Sequence, residues 1–517
     1  MPAPFRLDRR AAGLLLHPTS LPGPHGSGDL GHAAREFVDL LAAAGLRWWQ
    51  MLPIGPPGPG NSPYSAYSAL AGSPLLISLD LLAERGLLER RDLRPDCGLR
   101  TERVAYPAVR RFRFARLRRA FAGFVHGGGL QTAAFRRFVA RNSGWLDDFA
   151  LFIAIKDASG NREWLRWPAP LRLRRLPDLA RARQRLAAEL DFQRFCQFEF
   201  ARQWAALRRY ARRRGVGLIG DIPIFVAHDS ADVWAHRELF QLDAGGRPRV
   251  VSGVPPDYFS RTGQLWGHPH YRWRRHQATG FAWWMDRFQH AFRQFDAVRI
   301  DHFLGFYRCW AVPGRARTAR RGRWLRTPGR ELFEQLRSRL GRVEIIAEDL
   351  GLVTRQATAL RDRYGWPGMR VLQFAFGSDQ GHYHEPHAYP RRCVVYTGTH
   401  DNDTTVGWFR KLGRAGTRPG PRAGPDQLER VLRYVGSTGR EIHWDMIRLA
   451  LMSVADLAVV PVQDLLGLDS RARMNRPGTA RGNWEWRLPA GALTDALARR
   501  LRDLLAAYGR LKAGDQA

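Results

Sequence analysis

Short apolar runs that end in polar residues, glycine or proline recur eight times along the 517-residue chain. Runs of this length are typical of inner strands in a parallel sheet, which is covered on both faces. Amphipathic helical patterns lie between several of them. Eight buried strands with intervening helices predict an α/β fold, the (β/α)8 TIM barrel. The runs are GLLLHPTS (13–20), LRWWQMLPI (46–54), VGLIGDIPIFV (216–226), AVRIDHF (297–303), VEIIAEDLG (343–351), MRVLQFAF (369–376), RCVVYTGTHD (392–401) and DLAVVPVQDLL (456–466).

Two of the helical patterns carry stop signals. REFVDLLAAAGL places its apolar residues on one side and stops near Gly45. RELFEQLRSRLG repeats the pattern and ends at Gly341, where glycine supplies a natural left-handed cap.

The spacing of the predicted strands is uneven. About 160 residues separate the second from the third, and about 70 separate the third from the fourth. Both lengths exceed a simple crossover helix, so we expect one catalytic barrel domain (1–517) with insertions above its C-terminal face. The first, at about 55–215, contains basic helical stretches and predicts a helical subdomain. The second, at about 227–290, is turn-rich and aromatic, which favours a binding loop.

The formal net charge of +34 raises nucleic-acid binding as an alternative function. Nearly all of this charge is arginine, the lysines being only Lys156, Lys411 and Lys512, and it is dispersed through the predicted helices. No helix-turn-helix, zinc-finger or RNP-type motif accompanies it. We therefore expect no specific nucleic-acid partner.

Neither a membrane span nor a metal site is predicted. No apolar run approaches the roughly 18 residues of a span, and RRAAGLLLHPTS is too short for a signal peptide and has no cleavage site. We interpret that segment as the first buried strand of a cytoplasmic protein. The sequence has four cysteines, Cys97, Cys196, Cys309 and Cys393, which lie far apart without metal-ligand spacing. This predicts free thiols and no zinc site.

Carboxylates follow three of the predicted strands. Asp301 ends AVRID, Glu348 follows VEIIA, and Asp401 follows RCVVYTGTH. Active sites of such barrels lie at the C-terminal ends of the strands, so we expect the three side chains around one cavity. One strand-end aspartate alone could be solvated, or paired with a neighbour such as Arg299. Three on separate strands favour a site.

Paired carboxylates in different environments suit glycosidic chemistry. One attacks the anomeric carbon, and the other stays protonated to release the leaving oxygen. A third can hold sugar hydroxyls and offset charge on an oxocarbenium-like ring.

The strand-end segments GDIPIFV, AVRIDHFLGF, IIAEDLG and TGTHDND resemble those of the α-glucan-active barrels, in the version carried by amylomaltases (4-α-glucanotransferases). Further stretches agree: LHPTSLPGPHGSGDLG, NSPYSAYSALAGSP, GVPPDYFSRTGQLWG and RMNRPGTARGNWEWR. The resemblance extends from about residue 16 to residue 487, nearly the whole chain.

The resemblance implies roles for the charged residues. Asp301 would be the nucleophile that forms a glucosyl-enzyme, Glu348 the general acid and then the general base, and Asp401 the residue that grips donor-sugar hydroxyls beside His400. Arg299, two residues before Asp301 and on the same face of the strand, would keep the nucleophile ionised.

The resemblance also implies a set of sugar contacts. In amylomaltases the corresponding aromatic segments line the acceptor side and a glucan groove. This chain departs from the family at His268, where the family usually has the asparagine of Trp-Gly-Asn-Pro. The difference affects the sugar contacts of this loop and therefore the expected chain-length preference. The expected contacts are Asp221, Tyr64, Tyr67, Tyr258, Trp266 and Asn475.

The function expected from these features is transfer of α-1,4-glucan segments between neutral malto-oligosaccharides, without a cofactor. An amylase-like hydrolase on the same barrel is the alternative among enzymes. We expect a monomer or weak homo-oligomer with no membrane partner.

Overall fold

Two sheets organise the molecule, shown here by a computed structural model that describes residues 5–95, 98–256, 261–351, 353–377, 381–415 and 425–511. One sheet is closed and parallel, and the other is a smaller antiparallel sheet. In chain order the strands are β1 (Ala11–Leu15), β2 (Trp48–Gln50), β3 (Gly217–Ile222), β4 (Val250–Val254), β5 (Gln264–Pro269), β6 (Ala297–Ile300), β7 (Arg308–Pro313), β8 (Arg323–Arg326), β9 (Ile345–Ala347), β10 (Gly368–Val371), β11 (Cys393–Tyr396) and β12 (Leu457–Pro461).

The closed sheet is an eight-stranded barrel in the order β1, β2, β3, β6, β9, β10, β11, β12, with β12 pairing back onto β1. Every pairing is parallel, and the closing pair sets Ala11 opposite Leu457. The residues of these eight strands are buried throughout, which explains why they appear in the sequence as continuous apolar runs. Each of the eight runs identified in the sequence supplies one strand of the barrel, so the predicted (β/α)8 TIM barrel is confirmed.

Helices surround the barrel and fill its long connections. The two predicted stop signals are confirmed: the helix 32–43 is followed by Gly45 at φ +76°, and the helix 329–340 by Gly341 at φ +68°. Both dihedrals lie in the left-handed region, which glycine enters without a Cβ clash. The helices are α1 (His32–Ala43), α2 (Leu79–Glu84), α3 (Tyr106–His126), α4 (Ala133–Ala158), α5 (Ala169–Arg172), α6 (Leu176–Arg185), α7 (Ala187–Arg213), α8 (Ala231–Ala235), α9 (Trp273–Ala278), α10 (Ala282–Gln294), α11 (Gly329–Leu340), α12 (Arg355–Arg363), α13 (Thr405–Ala415), α14 (Pro425–Val435), α15 (Ile442–Met452), α16 (Val462–Leu465) and α17 (Asp495–Ala507).

The connection between β2 and β3 contains six of these helices, α2 to α7. The longest, α4 and α7, pack against each other, and α3 packs on α7. Aromatic residues fill their contact: Phe124 of α3 lies 5.0 Å from Phe195 of α7 and 5.4 Å from Phe135 of α4, between ring centroids. Apart from the buried Arg113 and Lys156, the basic residues of these three helices lie outside this aromatic interior.

The connection between β3 and β6, predicted as a turn-rich, aromatic binding loop, contains strands of its own. It contains β4 and β5, which join β7 and β8 in an antiparallel sheet of order β5-β4-β7-β8. The sequence did not reveal these strands because β4 pairs with β7, a strand that follows β6 in the sequence, and a local pattern carries no record of that partner. Residues 257–260, between β4 and β5, lie outside the described residues.

Two further features concern the chain as a whole. Over the parts that the structure describes, no helix is both long enough and apolar enough to cross a bilayer. Three cysteines, Cys196, Cys309 and Cys393, are buried free thiols. Cys97 is outside the described residues.

Candidate active site

The three strand-end carboxylates meet in one cleft. Asp301 directly follows β6, where its N–H donates to the Ile222 carbonyl of β3 (3.0 Å). Glu348 directly follows β9, where its N–H donates to the Ile300 carbonyl of β6 (3.1 Å). Asp401 lies in the turn after β11. The cleft has a volume of about 860 Å³, and all three side chains line it.

A buried arginine connects Asp301 to a second carboxylate below the cleft. Arg299 Nη2 donates to Asp301 Oδ1 (2.9 Å), and Nη1 donates to Asp221 Oδ2 (2.7 Å). The Tyr64 hydroxyl donates to the same Asp221 oxygen (2.7 Å). The side chain of Arg299 is 6% exposed and that of Asp301 31%. The hydrogen-bonded series Tyr64–Asp221–Arg299–Asp301 therefore fixes the position of Asp301, the carboxylate of the series that reaches the cleft.

Burial and the neighbouring opposite charges shift the pKa values of Asp221 and Arg299 in opposite directions. Burial raises the pKa of Asp221, against the attraction of Arg299. Burial alone would lower the pKa of Arg299, but the carboxylates of Asp221 and Asp301 raise it well above its ordinary value. Arg299 is therefore a permanent cation beside Asp301.

Glu348 occupies a different environment. It is 8% exposed, and burial raises its pKa to about 8 although Arg299 and two backbone donors favour the charged form. Those donors are the N–H groups of His302, to Oε2 (2.7 Å), and of Leu350, to Oε1 (2.8 Å). Glu348 is thus protonated at neutral pH, in the same cleft as Asp301, whose carboxylate accepts a hydrogen bond from Arg299.

His302 owes its position to an unusual backbone. Its φ is +49°, in the left-handed region that non-glycine residues seldom adopt. This turn, immediately after Asp301, directs the His302 N–H toward Glu348. Such outliers persist where the surrounding structure over-determines them, and they cluster at functional sites.

Two imidazoles beside Asp301 are neutral. Burial lowers the pKa of His302 and of His268 to about 4, against the attraction of Asp301. The ring of Trp266 meets that of His302 edge-on, with centroids 4.9 Å apart. His268 and Trp266 both lie on β5 and line the cleft.

Asp401 is held by the segment after β12. Asn475 Nδ2 donates to Asp401 Oδ1 (2.6 Å), and Arg473 Nη2 donates to the Asp401 carbonyl (2.5 Å). His400 Nε2 lies 3.4 Å from the same Oδ1. The Asp401 side chain is 49% exposed, so it keeps acceptor capacity for a ligand in the cleft.

Aromatic rings form the wall next to Asp401. Tyr64 stacks on His400 at 5.1 Å between centroids, and Trp484 lies 5.9 Å from Tyr64 and 6.0 Å from His400. Trp484 and Arg473 were not singled out from the sequence. Trp484 belongs to the NWEWR segment (483–487), which the sequence does mark as aromatic. Its left-handed backbone, with φ at +65°, is visible only in the structure.

The residues expected to contact sugar divide into four groups. Asp221 lies beneath the cleft as described, Tyr67 lies away from it, and Tyr258 is outside the described residues. The Tyr67 ring packs against Lys156 (Nζ to centroid, 4.9 Å) and Phe152 (centroids, 6.3 Å) of α4, and it does not line the cleft. Those that line the cleft are Arg299, His400, Tyr64, Trp266 and Asn475.

One group of side chains in the described residues has the geometry of metal ligands. His25, Asp29 and Asp80 each bring one ligand atom within 4.8 Å of the others. The group is separate from the cleft, and Arg113 already pairs with Asp29 (2.9 Å). We assign no ion to it.

Comparison with known proteins gives one consistent result. A family model described as 4-alpha-glucanotransferase matches residues 16–494. A 4-alpha-glucanotransferase of Thermus thermophilus is 48% identical over 511 residues, covering 97% of this chain and 99% of that protein. One of Synechocystis sp. is 48% identical over 509 residues, covering 98% and 99%.

A solved structure has the same fold over its full length. The amylomaltase from Streptococcus agalactiae, in complex with acarbose, superposes with a TM-score of 0.92 at 36% identity, covering 98% of this chain and 100% of that chain.

Proposed function

This chain belongs to the 4-alpha-glucanotransferase family, and from that premise we propose that it transfers α-1,4-glucan segments by a retaining double displacement centred on Asp301 and Glu348. The observation that carries the proposal is the contrast between these two carboxyl groups in one cleft. Arg299 bonds to Asp301, whereas burial holds the proton on Glu348. This is the pairing of nucleophile and acid that retention needs.

In the first step Asp301 attacks the anomeric carbon of the donor. The bond from that carbon to the glycosidic oxygen breaks, and the Glu348 proton passes to the leaving oxygen. Arg299, already bonded to Asp301, limits the reorganisation needed as negative charge leaves the carboxylate. The product is a glucosyl-enzyme linked through Asp301, and Glu348 is now ionised.

In the second step the acceptor is activated by the same glutamate. Glu348 takes the proton of the acceptor 4-OH as its oxygen attacks the anomeric carbon, and the bond to Asp301 breaks. Two inversions give net retention. We propose that Asp401 accepts hydrogen bonds from donor-sugar hydroxyls, since Asn475 orients its carboxylate and about half of the side chain is exposed.

Transfer requires that a sugar compete with water. With water at about 55 M and an acceptor at about 10 mM, preferring the sugar demands about 5 kcal/mol of differential transition-state binding. We propose that the aromatic rings of the cleft supply this, Tyr64 and Trp484 near Asp401 and Trp266 near Asp301. Apolar faces of glucose stack on such rings and exclude water.

The proposed partners are neutral α-1,4-glucans and malto-oligosaccharides. A monomeric or weakly oligomeric state, a cytoplasmic location and the lack of a specific nucleic-acid partner stay predictions from the sequence.

Incubation of the purified protein with maltotriose tests the proposal. Transfer gives glucose and a ladder of longer chains while the number of reducing ends stays constant. Steady growth of reducing ends would instead support the hydrolase alternative. A Glu348→Gln protein with full activity would remove the acid and base from the scheme.

A further inference from the structure

The β7–β8 hairpin at the rim of the cleft is strongly basic. Residues 308–326 contain seven arginines and no aspartate or glutamate. The proposed substrates are neutral, so attracting them does not require this charge. Tyr307, Arg308 and Trp324 nevertheless line the same cleft as the carboxylates.

Two of these arginines face each other directly. In the register of the hairpin Arg308 is paired with Arg326. Like charges directly across an antiparallel pair are destabilising. Within the described part of the chain, no acidic side chain forms an ion pair with either guanidinium, whereas Arg330, just beyond the hairpin, pairs with Glu334 at 2.9 Å. Among the residues that the structure describes, the cross-strand pair therefore has no carboxylate partner.

Aromatic rings hold both guanidinium groups in place. Arg308 Cζ lies 4.3 Å from the centroid of Trp324, and Arg326 Cζ lies 4.8 Å from that of Tyr307. Cation–π contacts orient a guanidinium without neutralising it. Trp324 is itself 37% exposed, unusual for so large an apolar side chain. The rim thus offers two oriented cations and an open indole.

We propose that the Arg308–Arg326 pair binds a phosphate monoester carried by a glucose unit, so that phosphorylated α-glucans or sugar phosphates serve as substrates besides neutral chains. This inference rests on the proposed glucan transfer and extends its substrate class. Guanidinium groups bind phosphate oxygens through two parallel N–H donors. Trp324 can take the apolar face of the same sugar.

The first test compares acceptors with maltotriose as donor. One pair is maltotetraose with and without a 6-phosphate on one glucose, and the other is glucose and glucose 6-phosphate. We expect at least one phosphorylated acceptor to show about a five- to tenfold higher kcat/KM at low ionic strength, and the advantage to shrink in high salt. The two pairs distinguish a phosphorylated chain from a free sugar phosphate.

Variants separate the site from the overall positive charge. Arg326→Gln should abolish the preference for phosphate and leave neutral maltotriose transfer unchanged, and Arg326→Lys should restore part of it. The matched control is Arg499→Gln, an exposed arginine on α17, a helix that packs on α1 and α15. A preference that survives in Arg326→Gln would overturn the proposal in favour of non-specific attraction, and so would equal use of phosphorylated and neutral acceptors.

A binding readout does not depend on catalysis. Inorganic phosphate should raise the midpoint of thermal unfolding of the unmodified chain and of Arg499→Gln, but not of Arg326→Gln. Without phosphate, Arg326→Gln should unfold at the same or a higher temperature, because a like-charge pair is removed. Equal phosphate effects on all three proteins would contradict the site. Absence of transfer from maltotriose would contradict the proposed function instead.

Discussion

Replacement of Glu348 by glutamine should abolish transfer yet stabilise the folded protein at alkaline pH. Burial raises the pKa of this carboxyl from its ordinary 4.5 to about 8. At 1.36 kcal/mol per pKa unit, that difference corresponds to up to about 5 kcal/mol between the folded and unfolded states. Glutamine occupies nearly the same volume and has no charge to bury. The variant therefore avoids the loss of folding stability that the Glu348 carboxyl causes at alkaline pH.

The sign follows from proton binding. Between about pH 4.5 and 8 the folded protein keeps the Glu348 proton while the unfolded chain has released it, so unfolding releases a proton. Stability contributed by this group is fully present below that window and is lost as the pH rises to about 8. The free energy of unfolding of Glu348→Gln minus that of the unmodified protein should therefore grow with pH and level off above about 8.

One term of the comparison does not depend on pH. Both carboxyl oxygens accept backbone N–H groups, those of His302 and Leu350, whereas the glutamine amide has only one oxygen. Its NH2 group must face a donor, which costs about 1 to 3 kcal/mol. This cost lowers the difference in free energy of unfolding by the same amount at every pH, so the dependence of that difference on pH is unchanged.

Reversible urea unfolding, followed by tryptophan fluorescence from pH 5 to 9.5, measures the curve. Asp8→Asn provides a control whose difference should stay flat from pH 5 to 9.5, because the pKa of Asp8 is lowered from an ordinary 3.8 and so lies below this range. A hydrogen bond from Arg6 lowers the pKa of Asp8, so its carboxylate stabilises the protein at neutral pH and that stability is lost as the pH falls. A difference for Glu348→Gln that stays flat between pH 5 and 9 would refute the assignment of Glu348 as a buried, protonated acid.

Four further outcomes are expected. Because Glu348 must hold a proton in the first step, kcat/KM for maltotriose should fall about tenfold per pH unit above about pH 8; a flat profile to pH 10 would contradict this. Asp301→Asn should lower turnover by about 10³-fold or more with an unchanged circular dichroism spectrum, and normal turnover would exclude it as the nucleophile. Arg299→Met should lose about 3 to 5 kcal/mol of stability in urea, since buried Asp221 loses its counter-charge, and an unchanged midpoint would show that the pair is not needed. Trp266→Ala should raise the ratio of hydrolysis to transfer by about tenfold, measured as reducing ends per glucose released; an unchanged ratio would remove Trp266 from the acceptor side.

The sequence was informative where structure depends on neighbours along the chain. A strand buried on both faces needs a continuous apolar run, and each of the eight runs forms one barrel strand. Because all eight strands are parallel, every run ends at the same rim. That rule alone placed Asp301, Glu348 and Asp401 in one cleft before any contact was known.

Local patterns carry no record of side-chain direction where that direction depends on distant segments. Tyr64 and Tyr67 lie three residues apart in one turn-rich stretch, and both were expected to contact sugar. The hydroxyl of Tyr64 meets Asp221, 157 residues away, whereas the Tyr67 ring packs against α4. In a loop neither period 2 nor period 3.6 applies, so the partner decides which side chain reaches the cleft.

The chain by itself thus determined the barrel and the carboxylates at its rim, because burial and strand direction are written in short-range patterns. Tertiary structure alone decided how those carboxylates differ. Burial beside β6 and β9 keeps the proton on Glu348, against the His302 N–H that the left-handed turn directs at it, and Arg299 bonds to Asp301 while it is shared with Asp221. Desolvation and cross-strand pairing are properties of the folded packing, and no residue carries them alone.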